Sequence, residues 1–127
     1  MEISTPADAD PTGPLLEHER LEVYGIALRF HGLACRLLPA RGCRVLRAEL
    51  ERASLGIVLN IAEGAGRRSG PDKRRFYEMA RGSATESAAL LDVLRVRALA
   101  PAARCAEGRS LVVRLVQMLS RLGGPPR

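Results

Sequence analysis

The stretch NIAEGAGRRSGPDKRRFYEMARGSATE, residues 60 to 86, holds the side chains of this sequence best suited to chemistry. Gly64, Gly66 and Gly70 lie beside Arg67, Arg68, Lys73, Arg74 and Arg75, and Arg81 follows. Glycines next to cations can cradle a phosphate, a basic run can neutralise a nucleic-acid backbone, and the same residues can turn one helix into the next. Spacing excludes the phosphate loop. Ser69 stands where a dinucleotide-binding loop needs its third glycine, and Asp72 rather than glycine precedes Lys73, against the Walker pattern. Both motifs also follow a strand, whereas a helical pattern precedes this stretch. The glycines therefore read as helix punctuation. The cations around them read as a solvated turn or as phosphate contacts, which helix N–H groups would reinforce. No recognition-helix motif or stacking platform appears, so base-specific reading is not expected.

Other chemistry is thin. Neither His18 nor His31 has a glutamate three residues before it, so the Glu-x-x-His signature of di-iron bundles is missing. No Ser-His-Asp or Cys-His grouping has a spacing that suggests a nucleophile. Cys35, Cys43 and Cys105 form no C-x-x-C pair and leave one thiol over in any pairing, which favours reduced, buried thiols over disulfides or zinc. No enzymatic activity, cofactor or metal is expected. Polar residues within the apolar stripes are more informative, because an unpaired buried polar group costs about 1–3 kcal/mol. Asn60, Glu63, Ser83 and Glu86 are predicted to form a polar cluster between the second and third helices, with Arg81 neutralising a carboxylate. Fixing helix register is the first role for that cluster, and a ligand site the second.

The elements that position these residues follow from composition and periodicity. The chain has 127 residues, 46 % hydrophobic and 27 % charged, with two Tyr, two Phe and no Trp. Leu, Ala and Arg dominate, which favours helices over strands. Residues 1–16 hold three prolines, three acids and no Lys or Arg, and read as a disordered tail. Four helices are predicted over 17–122. The first starts at Glu17 and stops at Pro39 and Gly42; the second runs from Arg44 to Ala62 and closes on the EGAG segment. The third begins at a Ser69-x-x-Asp72 capping box with Pro71 in its first turn, and its apolar side reads Phe76, Met79/Ala80, Ser83, Ser87, Leu90/Leu91 and Leu94. Pro101 separates it from a fourth, Ala103 to Leu122, and 123–127 is a flexible end. Short connections make this an all-α, antiparallel up-down four-helix bundle.

Net charge is +6, and a single lysine stands among the 20 basic residues. Arg suits phosphate recognition through its planar fork. Residues 29–47 hold five Arg and no acid, residues 95–109 four Arg and one acid, and residues 64–81 six bases and two acids. In an up-down bundle the first two segments share one end and the third occupies the other. Anions are thus drawn to both ends: Arg67, Arg68, Lys73, Arg74 and Arg75 at one, Arg41, Arg44 and Arg47 at the other. No signal peptide or membrane-spanning run is evident, so a cytoplasmic protein without a membrane role is expected.

These residues also carry a family resemblance. The segment LERASLGIVLNIAEGAGRRSGPDKRRFYEMARGSATESAALLDVL resembles the signature region of the bacterial large-subunit ribosomal RNA intervening-sequence proteins. Leu50, Arg52, Ala53, Ile57, Asn60, Ile61, Ala62, Glu63, Gly64, Gly66 and Arg67 fit its first part, and Phe76, Tyr77, Ala80, Gly82, Ser83 and Glu86 its second. LEVYGIA at 21–27 is similar to the opening of the family's first helix, so the likeness covers about 20–120. Glu49 stands where the family usually has Gln, and Gly56 where it has Ser. The resemblance implies an antiparallel four-helix bundle that assembles with itself into a ring, commonly a pentamer. It also implies a likeness to the accessory protein of diversity-generating retroelements, which engages RNA and a reverse transcriptase. The expected function is a ring-forming accessory factor that binds structured RNA through Arg-rich helix ends. The alternative is an oligomeric scaffold with no nucleic-acid role.

Overall fold

A computed structural model describes residues 15–39 and 41–123. The expected N-terminal tail, apart from Leu15 and Leu16, and residues 124–127 of the expected C-terminal end lie outside the described residues. A four-residue 3-10 helix, Glu17–Arg20, leads into α1 (Glu22–Leu37), α2 (Arg44–Gly66), α3 (Gly70–Val96) and α4 (Ala102–Leu122). No strand occurs among the described residues. The four periodic stripes have become four helices, and the protein is an all-α four-helix bundle.

The stripes bury one face of each helix. Phe30, Leu50, Ile57, Ile61, Leu94, Leu115 and Leu119 are the largest side chains removed from solvent. Burying a Leu, Ile or Phe stabilises a fold by about 1.5–3 kcal/mol, far more than the few tenths that helix propensity adds per residue. Each helix packs mainly on its two neighbours, α2 on α1 and α3, α4 on α3 and α1. Gly56 faces Ser83 and Gly64 faces Tyr77, so numbers fall along α3 as they rise along α2. Glu22 with Arg114, and Leu33 with Gly108, run α1 against α4 in the same opposed sense.

Three features differ from the sequence-based expectation. The first helix is not continuous from Glu17, because Leu21 is extended (φ −89°, ψ 125°) between the 3-10 helix and α1. Local contacts hold that break. Leu16 N–H donates to Glu19 Oε1 at 3.1 Å, and the His18 ring meets Tyr24 edge-on at 4.6 Å.

The second difference is the end of α2, which runs through the EGAG segment instead of stopping at Ala62. Gly64 is buried inside the helix, and a Cβ there would lie 2.8 Å from Tyr77 Cε1 and 3.1 Å from Phe76 Cβ. Gly64 thus lets α3 approach. It is not a cap. Lys73 does the capping instead: its Nζ donates to Ala65 O at 2.9 Å, and to Gly64 O at 3.3 Å, which also accepts from Arg67 N–H.

The third difference is a rotation of α3. Its buried face is Tyr77, Ala80, Ala84, Ser87, Leu91 and Leu94, so Phe76 and Met79 sit on a flank rather than inside. Seating Tyr77 over Gly64 sets that rotation, because residues one apart on a helix point about 100° apart.

Candidate nucleic-acid interface

The connection between α2 and α3 is three residues long, Arg67 to Ser69, and both ends are pinned. Ser69 takes the predicted N-cap role, its Oγ accepting from Asp72 N–H at 3.1 Å, with Pro71 in the first turn. Lys73 ties α3 back to α2 as described above. These contacts fix the backbone of the turn.

Phe76 organises the cations. With Tyr77 taking the core position, Phe76 is left half-buried at the surface, and the guanidinium carbons of Arg67 and Arg75 each lie 4.6 Å from its ring centroid. A guanidinium over an exposed aromatic face gains about 0.5–1 kcal/mol, and its flat surface is held while its N–H edge stays available. Arg67 also pairs with Glu63 at 3.1 Å. Arg68 is exposed and Arg74 half-buried, and neither has a side-chain partner among the described residues. The N-terminus of α3 adds partial positive charge at the same turn. The turn thus carries four guanidiniums, two of them held on Phe76.

The structure divides the eight predicted contact residues into two groups. Arg67, Arg68, Arg74 and Arg75 gather at the α2–α3 turn, and Lys73, among them in sequence, is turned inward to the α2 carbonyls. Arg41 and Arg44 are exposed at the opposite end. Arg47 donates to Pro39 O, and to Gly42 O at 2.7 Å, closing the α1–α2 connection.

The five residues predicted to form a polar cluster are separated. Asn60 Nδ2 donates to Gly56 O of its own helix at 2.9 Å. Glu63 pairs with Arg67, and Glu86 with Arg52 across the α2–α3 seam. Arg81 is exposed, and Ser83 presents its hydroxyl to Gly56, where a Cβ would come within 2.9 Å of it. Ser83 Oγ thus lies close to the space that a Ser at position 56 would need. These side chains lie along a wet seam, where ion pairs satisfy them separately. The polar groups that are removed from solvent are Ser54 and Ser87.

Ser54 belongs to a group that periodicity did not reveal. Its Oγ lies 3.2 Å from Glu51 O and 2.8 Å from His31 Nδ1, and Cys35 Sγ is 3.6 Å from His31 Nε2. A hydroxyl has one proton. If Ser54 donates it to Glu51 O, then Nδ1–H donates to Ser54 and Nε2 is left to face the thiol. Burial lowers the His31 pKa, against the opposing pull of Glu51, and favours that neutral imidazole. Burial first, then Glu51, raises the Cys35 pKa, so the thiol is held protonated rather than activated.

Two further surface features were missed. Leu55, Leu59 and Met79 are exposed on α2 and α3, at 42 %, 54 % and 47 %. An open groove of about 590 Å³ runs beside the turn, lined by His18, Leu59, Ala62, Glu63, Gly66 and Arg67. In the sequence Leu55 and Leu59 widen the apolar stripe of α2 beyond Leu50, Ala53, Ile57 and Ile61, the side that the fold buries. No group of three or more His, Cys, Asp or Glu side chains among the described residues could hold a metal ion, and no described helix is long and apolar enough to cross a membrane.

Comparison with known proteins places this geometry in a family. None of the curated proteins matches the chain. The family model described as 23S rRNA-intervening sequence protein matches residues 19–121, which takes in α1 to α3, the α2–α3 turn and α4 up to its last residue. The chain belongs to the 23S rRNA-intervening sequence protein family.

Proposed function

We propose that the protein is a small non-enzymatic accessory factor that binds structured RNA through its phosphate backbone. Arg67, Arg68, Arg74 and Arg75 are the principal contacts, and Arg41 and Arg44 extend the binding surface at the other end. One observation carries this reading: the two guanidiniums held on Phe76 beside a pinned helix N-terminus. The family's description names 23S rRNA and is compatible with an RNA-related role.

Binding of a structured RNA, followed by fluorescence anisotropy from low to physiological salt, tests it. Each phosphate neutralised steepens the log–log salt dependence by about 0.7–0.9. Changing Arg67, Arg68 and Arg74 together to Ala should weaken binding at least tenfold and flatten that slope by roughly 2. Unchanged affinity and slope in a folded triple variant would remove this turn from the account.

A second reading rests on a different observation. Leu55, Leu59 and Met79 present apolar surface on the outside of α2 and α3. They support self-association into a ring, a pentamer being the state the resemblance implies, with or without RNA. Native mass spectrometry should then return a multiple of 13.8 kDa, and Leu59→Lys should shift it to the single chain. A wild-type protein at 13.8 kDa in dilute and concentrated solution alike would count against the ring.

A further inference from the structure

We propose that the acidic segment preceding Leu15 docks along the groove beside the α2–α3 turn and competes there with RNA. The inference rests on the phosphate-contact reading for its consequence, but not for the docking itself.

The described chain begins at the right place. His18 lines the same groove as Gly66 and Arg67. Burial raises the pKa of Tyr77, whose ring lies against Gly64, and Glu17 is close enough to add to that rise. The 3-10 helix of Glu17–Arg20 packs on α2, so Leu15 leaves the bundle at the end where Arg67, Arg68, Arg74 and Arg75 gather.

Fourteen residues precede Leu15, with Glu2, Asp8 and Asp10 and no Lys, Arg or His. A chain of that length can reach at most about 45–50 Å, so all three carboxylates lie within reach of the turn. Tethering gives the segment an effective concentration in the millimolar range. The groove offers such an occupant apolar contacts at Leu59 and Ala62 for side chains such as Ile3. Its cation, Arg67, is already paired with Glu63 of the same lining, so the carboxylates are drawn mainly to Arg68, Arg74 and Arg75 at the adjoining turn. Ion pairs at an exposed surface are weak singly and screened by salt. The competition is therefore graded, and strongest at low ionic strength.

The test keeps the full chain and changes Glu2→Gln, Asp8→Asn and Asp10→Asn together. Amide resonances of residues 64–75 are compared between this variant and the parent at low and high salt, and both are titrated with one hairpin RNA. Docking predicts shifts confined to the turn and groove that vanish in high salt, with two- to fivefold tighter RNA binding by the variant at low salt. Unmoved resonances overturn the proposal, even if affinity rises, since a change of net charge alone does that. If neither chain binds RNA while the resonances shift, the docking stands and the phosphate-contact reading falls.

Discussion

The two ends of the bundle make the most useful comparison in this molecule. By charge count the end that joins α1 to α2 and α3 to α4 is the more basic, with nine Arg and one acid across its two segments. Yet the other end is the better prepared. At the α2–α3 turn two guanidiniums lie on Phe76 and the connection is three residues long. At the opposite end Cys43 enters α2 with positive φ (53°) and no side-chain cap, and Ala98 leaves α3 with the same φ. Arg47 serves backbone carbonyls, while Arg41 and Arg44 reach into solvent. Ordering a long side chain on binding costs about 0.5–1.5 kcal/mol, so arginines already held still bind better than a larger number that are not. Count and preorganisation point to different ends, and affinity should follow preorganisation.

The largest effect that would break this comparison is at Gly64. Helix propensity alone favours Ala over Gly by up to about 1 kcal/mol. Gly64→Ala should nevertheless destabilise the protein by roughly 1–3 kcal/mol, since its Cβ meets the Tyr77 ring and the Phe76 Cβ. Gly66, two residues on, has nothing within 4 Å of the same atom, so Gly66→Ala should leave the melting temperature unchanged or raise it. Equal melting curves for the two variants would mean that α2 and α3 do not meet at Gly64.

Next in size is Phe76→Leu, which keeps an apolar side chain and removes the stacking face. RNA affinity should fall about three- to tenfold with little change in thermal stability, as Arg67 and Arg75 lose their anchor. The matching change at the other end, Arg41→Ala with Arg44→Ala, should cost less than threefold although two charges are removed. A larger loss there than from Phe76→Leu would reverse the ranking of the two ends.

The smallest expected effect concerns pH. His31 is held neutral by burial, so its pKa in the folded protein is below the ordinary value of 6.5. Between the two values the unfolded chain binds a proton that the folded chain does not, and stability rises with pH. The protein should therefore lose stability as pH falls below about 6.5, the unfolded value of histidine, with denaturant midpoints as the readout. His31→Asn, which retains a donor near Nδ1, should flatten that part of the curve. A parent curve already flat between pH 7 and 5 would refute the neutral imidazole, provided that carboxylate titration is matched in the variant.

Much of the fold was legible in order of residues. Four stripes of apolar and small residues at steps of three and four, broken by Pro39, Ser69 and Pro101, mark four helices, and α2 begins at Arg44 as expected. The cap at Ser69 could be read because an N-cap depends only on residues three apart. Less of the candidate site was legible. The basic turn was visible as composition, but Lys73 and Arg47 looked like their neighbours until the carbonyls they serve were in view. The predicted polar cluster failed for a related reason. Asn60, Ser83 and Glu86 lie at the edge of the stripe, and a one-residue rotation of α3 separates a buried position from a wet one.

By itself the sequence determined the number of helices, their approximate ends, the one-sided burial and the sign of charge at each connection. These depend on local periodicity, turn chemistry and side-chain type, all of which act over a few residues. Tertiary structure alone decided which of Phe76 and Tyr77 is buried, and that choice set the rotation of α3 and the place of every arginine beside it. The physical reason is close packing: only a glycine at position 64 admits the Tyr77 ring, and such a fit exists between helices, not along one.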